Sequence, residues 1–347
     1  MFELKIKAKT DKEIIHYAES GTLVSSKGNT IFFKKNQVIQ TVKLPQKAIE
    51  KIFGWFRLSR RALRLDKCNV VPVDNNLIIV RQGNVYLYDG EKETLTQTLT
   101  LRNCRNVLHQ SINKTPEGYI YFGEYGTNTK RLNVPVYRSK NRGKTWEEIY
   151  TFAPGSIKHV HGCYYDKYTD KIWVCTGDFE GENWLIVADK DFKNIKKIGD
   201  GQQKFRTCRL LFTPDEVHWV MDSPLEPSHH IIFDRTSESI KVGSRFHGPV
   251  WYLKVLTDGY YLAANSVEEP GEGIIDGKVH LYISKDLKTW EELKVFEHDG
   301  LPIGYFKYAV IGFADGDQSS KDFYMFFEAI KGYDGKSLQC ELSIDKK

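Results

Sequence analysis

The chain has 347 residues, of which 41% are apolar, 13% aromatic and 27% charged, a globular profile that excludes disordered and collagen-like classes. Fifty basic residues against 45 acidic ones leave a formal charge of +5. With no long Lys/Arg block, nucleic acid is not an expected partner. The N-terminal MFELKIKAKTDKEIIHY has no apolar h-region, and no apolar run reaches the roughly 18 residues that a span requires. No signal peptide and no membrane span are expected, which points to the cytoplasm. The six cysteines (Cys68, Cys104, Cys163, Cys175, Cys208, Cys340) are dispersed without a CxxC pair. They read as buried free thiols in a reducing compartment rather than as a zinc site.

Short runs rich in Val, Ile, Tyr, Phe and Trp, separated by Gly, Asn and Asp turns, follow one another along the chain: NTIFFKK, NNLIIVRQGNVYLYDG, GYIYFGEYG, KIWVCTGD, EVHWVMDSP, GYYLAANS and DFYMFFEAI. They read as strands. Only Pro45 to Arg64 has the spacing for a helical turn or two. The runs recur about every 40–50 residues, the mark of a propeller array. Seven units result: Tyr17–Leu44, Phe56–Leu101, Arg105–Phe152, His159–Ile198, Arg206–Val242, Val250–Phe296 and Tyr305–Ser343. The expectation is an all-β, seven-bladed β-propeller forming a single domain over 1–347, with six blades as the alternative. The N-terminal FELKIKAK is free to pair with the last unit and close the ring, removing the exposed edges an open array would leave.

Ser139–Trp146, SKNRGKTW, resembles the Asp-box turn of the sialidase-like BNR repeat family, S-x-D-x-G-x-T-W, with Asn141 in the Asp position. Ser284–Trp290 (SKDLKTW) keeps the acid as Asp286 and lacks the glycine, and Asp189–Ile195 is a more degraded copy. A longer stretch, from FGEYGTN through HVHGCYYD and TGD to MDSP, is similar to bacterial BNR-repeat proteins described as glycosyl hydrolases. The resemblance implies a propeller and a carbohydrate-active function. A classical sialidase is not expected, because the chain has no FRIP-like motif and no assignable arginine triad.

The densest cluster of ionisable residues lies between Lys158 and Pro224. His159 and His161 flank Val160 and so share one face of a strand; such a pair suits a divalent metal or a base with its orienting partner. Gly162 then leaves room for a ligand. Arginines at the starts of successive units converge on a central cleft, where their donor forks match carboxylates. The expected catalytic group is His159, His161, Tyr125, Tyr164, Arg206 and Asp178. The expected substrate-binding group is Arg64, Arg105, His109, Glu124, Asn128, Gln203 and Asp222. The expected partner is an acidic glycan or polysaccharide, processed by a hydrolase or a lyase; the alternative is a non-catalytic propeller that binds glycan or protein.

Overall fold

The computed structural model describes residues 2–11 and 13–344. They form seven four-stranded antiparallel sheets. Blade 1 is Ile14–Glu19, Thr22–Lys27, Thr30–Lys35 and Val38–Lys43; blade 2 is Asn69–Val73, Asn76–Arg81, Asn84–Asp89 and Thr94–Thr100. Blade 3 is Asn113–Lys114, Ile120–Gly123, Val134–Ser139 and Glu147–Phe152; blade 4 is His159–Asp166, Lys171–Gly177, Asn183–Ala188 and Ile195–Gly201. Blade 5 is Leu211–Phe212, Glu216–Val220, His229–Asp234 and Ile240–Arg245; blade 6 is Val250–Val255, Tyr261–Asn265, Lys278–Ser284 and Glu291–Glu297. Blade 7 comprises Val310–Phe313, Phe323–Glu328 and Lys336–Ile344, completed by Phe2–Lys9.

That last pairing closes the ring: Phe2 opposes Ile344 and Lys9 opposes Leu338. A parallel bridge between Tyr17 and Asp315 ties the inner strands of blades 1 and 7. The seven-bladed expectation and its N-terminal closure both hold.

Strand alternation explains how flat sheets become stacked blades. In Lys171–Gly177, Ile172 and Val174 pack into the core shared with blade 3, while Trp173 and Cys175 enter the core shared with blade 5. In Asn76–Arg81, Leu77 and Ile79 face blade 1, and Ile78 and Val80 face blade 3. A central strand buried on both faces is therefore a continuous apolar run, whereas the outer strands Glu147–Phe152 and Glu291–Glu297 are largely exposed. All six cysteines are free and buried.

The rim turns close through side chains. Ser139 Oγ accepts the Gly143 amide at 2.8 Å, and Asn141 Oδ1 accepts the Thr145 amide at 2.9 Å. Gly143 has φ +85°, and a Cβ there would meet Ile78 Cδ1 at 2.0 Å. Trp146 reaches blade 2, donating to Thr98 Oγ1 at 3.0 Å. Asp286 accepts the Lys288 and Thr289 amides in the second turn.

The helical insert expected between Pro45 and Arg64 forms two short helices, Ala48–Phe53 and Arg57–Ala62. Arg61 reaches Asp299 and the Phe306 carbonyl in the segment between blades 6 and 7, near a further short helix, Ile303–Phe306. This path corrects the second unit, whose blade starts at Asn69 rather than Phe56. Four other starts move as well: Tyr17 lies inside an inner strand that begins at Ile14, and Arg105, Arg206 and Tyr305 precede inner strands that begin at Asn113, Leu211 and Val310. No described helix is long and apolar enough to cross a membrane.

Candidate functional site

Within a blade built of up-and-down strands, two kinds of connection open on one face of the ring. One is the segment entering each inner strand; the other is the turn after each second strand. The first kind supplies most of the cations, together with Asp66 before blade 2, and in blades 3 to 7 the second supplies carboxylates. Arg64 and Lys67 precede blade 2, Arg105 precedes blade 3, Lys158 blade 4, Arg206 blade 5 and Lys307 blade 7. Glu124, Asp178, Asp222, Glu268 and Glu328 stand at or just beyond the second strands of blades 3 to 7. Among these, Arg64, Lys67, Arg105, Lys158, Arg206, Asp178, Asp222, Glu268 and Glu328 line a central cavity of ≈ 540 Å³, with Tyr125, His159, Trp251 and Tyr308.

Asp178 is the most heavily bonded of the acids. Its Oδ2 pairs with Lys158 Nζ at 2.5 Å, and Arg206 Nη2 stands 3.2 Å from its Oδ1. The same Oδ1 lies 3.2 Å from His159 Nε2 and 3.1 Å from His161 Nε2. Burial works to raise its pKa, but the two histidines and Arg206 outweigh it and hold the carboxyl well below the usual range. Burial depresses His159 below the ordinary imidazole value, with Asp178 opposing. Tyr125 lies with its ring 4.2 Å from that of His159; burial, then the charge of Asp178, drives its phenol well above its ordinary value.

Glu268 differs from its neighbours. Burial, reinforced by the charge of Asp222, pushes its carboxyl up to about 8, despite hydrogen bonds from Trp251 Nε1 and Ser266 Oγ at 2.8 and 2.9 Å. Glu328 shows the opposite outcome, because Lys307 and Lys67 overcome burial and bring it down to about 2. Asp222 accepts the Cys208 thiol at 3.1 Å on Oδ2, and its buried Oδ1 has no partner among the described residues. Arg64 and Arg105 are exposed at the cavity mouth. Arg105 bonds Gln82, and neither arginine has a carboxylate partner among the described residues.

The cavity wall thus gathers His159, Tyr125, Arg206, Asp178, Arg64, Arg105, His109 and Asp222 from the expected set, and His161 stands directly behind His159. The arginines reach it from connecting segments rather than from the inner strands themselves. His109 is buried, its Nε2 2.6 Å from the Phe313 carbonyl of blade 7, and burial lowers its pKa.

Five expectations change. Tyr164 is buried between blades 4 and 5 and donates to the Cys208 carbonyl, away from the cavity wall. A bulge between Val160 and Gly162 breaks the strand's alternation and sends Tyr164 to that face. The space beside Gly162 holds the Tyr164 hydroxyl, only 2.2 Å from where a Cβ would sit, so it is not ligand room. Glu124 turns inward, accepting the Arg102 and Asn103 amides at 2.7 and 2.9 Å and the Tyr137 hydroxyl at 2.9 Å. Asn128 and Gln203 tie loops: Asn128 Nδ2 donates to the Leu132 and Lys158 carbonyls, and Gln203 Nε2 donates to the Asp178 carbonyl.

Glu268 was not singled out from sequence, although a signal existed. It follows GYYLAANS as Asp178 follows KIWVCTG and Asp222 follows EVHWVM. Aligning the repeats on the ends of their second strands, at Gly177, Val220 and Asn265, brings the three acids within two positions of one another. Trp251, Tyr308 and Lys67 carried no comparable signal.

No family model matches the chain, and no curated protein sequence matches it. The sialidase-like resemblance of the rim turns is therefore one of turn chemistry. Among solved structures, the GH74 xyloglucanase from Xanthomonas campestris is similar with a TM-score of 0.60 at 13% identity, over 96% of this chain and 53% of that one. The extracellular domain of BT4673 from B. thetaiotaomicron has a TM-score of 0.57 at 12% identity, over 95% of this chain and 38% of that one. The AfRom2 CNH domain has a TM-score of 0.55 at 8% identity, with 99% of each chain covered. The chain spans only about half of the xyloglucanase and two fifths of BT4673. At these identities the likeness is one of fold, a seven-bladed β-propeller with distant structural relatives that include a glycoside hydrolase.

Proposed function

We propose that the protein is a carbohydrate-active propeller that acts on an acidic glycan or polysaccharide in the central cavity, as a glycoside hydrolase or a polysaccharide lyase. One observation carries this reading: the cavity combines two arginines without carboxylate partners among the described residues, Arg64 and Arg105, with a carboxyl, Glu268, pushed up to about 8 beside Asp222. The arginine forks suit a sugar carboxylate. A carboxyl that keeps its proton at neutral pH suits protonation of a glycosidic oxygen, and the unpartnered Asp222 Oδ1 suits a hydroxyl or an attacking water. Trp251, Tyr308 and Tyr125 offer rings for sugar faces. In the lyase variant, arginine neutralises a uronate carboxylate while a neighbouring base takes the adjacent proton. The likeness to a xyloglucanase supports a propeller able to host glycan chemistry, and fold alone does not select the substrate.

The test is incubation with a panel of polyuronates and sialylated glycans, measuring new reducing ends and ultraviolet absorbance of unsaturated products separately. Reducing ends alone identify a hydrolase, and both together a lyase. Saturable binding without turnover, weakened in R64Q/R105Q, supports the non-catalytic alternative. The absence of both turnover and binding rejects the acidic-glycan reading.

A further inference from the structure

His159, His161 and Asp178 present three acceptor atoms to one point. His159 Nδ1 lies 2.7 Å from the Gly126 carbonyl oxygen, and His161 Nδ1 lies 3.0 Å from that of Thr207. A ring nitrogen facing a carbonyl oxygen must carry the hydrogen, so each neutral imidazole keeps its lone pair on Nε2. Those two Nε2 atoms are 3.0 Å apart, and they stand 3.2 and 3.1 Å from Asp178 Oδ1. Three lone pairs in mutual contact repel one another unless a cation lies among them.

We infer that His159 Nε2, His161 Nε2 and Asp178 Oδ1 form a facial binding site for one first-row divalent metal ion. Bonds of about 2.1–2.2 Å meeting at about 90° place neighbouring donor atoms about 3.0–3.1 Å apart, close to the edges of this triangle. Two imidazoles and one carboxylate are the donor set of facial triads that leave coordination positions open. The supporting contacts are those that metal sites use: each histidine is fixed through its other nitrogen by a backbone carbonyl, and the carboxylate is fixed by Lys158 on Oδ2 and by Arg206. His159 and Asp178 belong to the cavity wall, so the open positions serve that space. The ion binds whether the substrate is a glycan or another anion.

A second histidine cluster, His247, His280 and Glu292 on blade 6, serves as an internal comparison. There His280 Nδ1 meets Glu292 at 2.6 Å and its Nε2 meets Asp276 at 3.1 Å, so both nitrogens already have anionic partners.

The test uses chelator-stripped protein comprising all 347 residues, dialysed against Zn²⁺, Mn²⁺ or Co²⁺. Expected are close to one bound equivalent by elemental analysis, visible Co²⁺ absorption, and a thermal midpoint that rises with metal concentration. D178N, nearly isosteric, lowers affinity at least tenfold, H161A abolishes binding, and H280A leaves it unchanged. Wild-type stoichiometry and the Co²⁺ spectrum decide the matter even where a variant fails to fold. Trace metal only, with an unshifted midpoint, overturns the inference and leaves a shared proton within the triad. So does binding that survives D178N and H161A but disappears in H280A.

Discussion

Arg206 and Asp178 meet twice across the boundary between blades 4 and 5: Arg206 Nη2 lies 3.2 Å from Asp178 Oδ1, and Arg206 Nη1 donates to the Asp178 backbone carbonyl at 3.1 Å. The same guanidinium stands 3.5 Å from Asp222, so a single side chain serves acids on two blades. R206A leaves both carboxylates short of a cation in a buried site and lowers stability on the order of 3 kcal/mol, read as a shifted denaturation midpoint. R206K keeps the charge but not the fork, and falls between wild type and R206A. A wild-type midpoint in R206A removes the bridging role.

Glu268 ties stability to pH. Its folded-state pKa is raised to about 8, from an unfolded value of about 4.3. Below the unfolded value both states carry the proton. Between the two values only the folded state does, so stability falls as pH rises and levels off once the folded carboxyl ionises near 8. E268Q keeps an acceptor for Trp251 and Ser266 and removes the titration. Denaturant midpoints across this range should therefore decline less in E268Q than in wild type; parallel curves reject the raised pKa.

If Glu268 is also the proton donor, turnover falls as pH rises through about 8, and E268Q loses most activity while staying folded. A pH–rate profile compared with circular dichroism of the variant checks both statements. Full activity in E268Q assigns the donor elsewhere.

Glu124 holds the segment that carries Arg105. Three donors converge on its buried carboxylate, so E124Q, which turns an amide N–H toward a donor, costs about 2 kcal/mol in urea denaturation. An unchanged midpoint contradicts the clasp.

Tyr164 supplies a control on the site itself. Y164F removes one donor from the Cys208 carbonyl, costs about 1 kcal/mol, and under the proposed activity leaves kcat unchanged, because the ring is not part of the cavity wall. A large drop in kcat at equal folding returns Tyr164 to the chemistry.

Fold and site were not equally legible in the sequence. The apolar run in KIWVCTG already contains the two-faced burial of a central strand, since Ile172 and Val174 must point opposite to Trp173 and Cys175. The repeat length counts the blades, and FELKIKAK announces the closing strand. The convergence of His159 and His161 followed from their spacing. The dispersed arginines Arg64, Arg105 and Arg206 line the central cavity, but they reach it by connecting segments rather than by the inner strands expected.

The amino-acid sequence alone determined the seven blades and their closure, because strand alternation and turn chemistry act over neighbouring residues. Tertiary structure decided which polar groups share the cavity. One bulge turned Tyr164 to the core shared with blade 5, inward-facing amides captured Glu124, and ring closure brought Glu268 and Glu328 to the same wall as Asp178. Those outcomes depend on groups that are far apart in the chain, whose distances and desolvation exist only once the ring has formed.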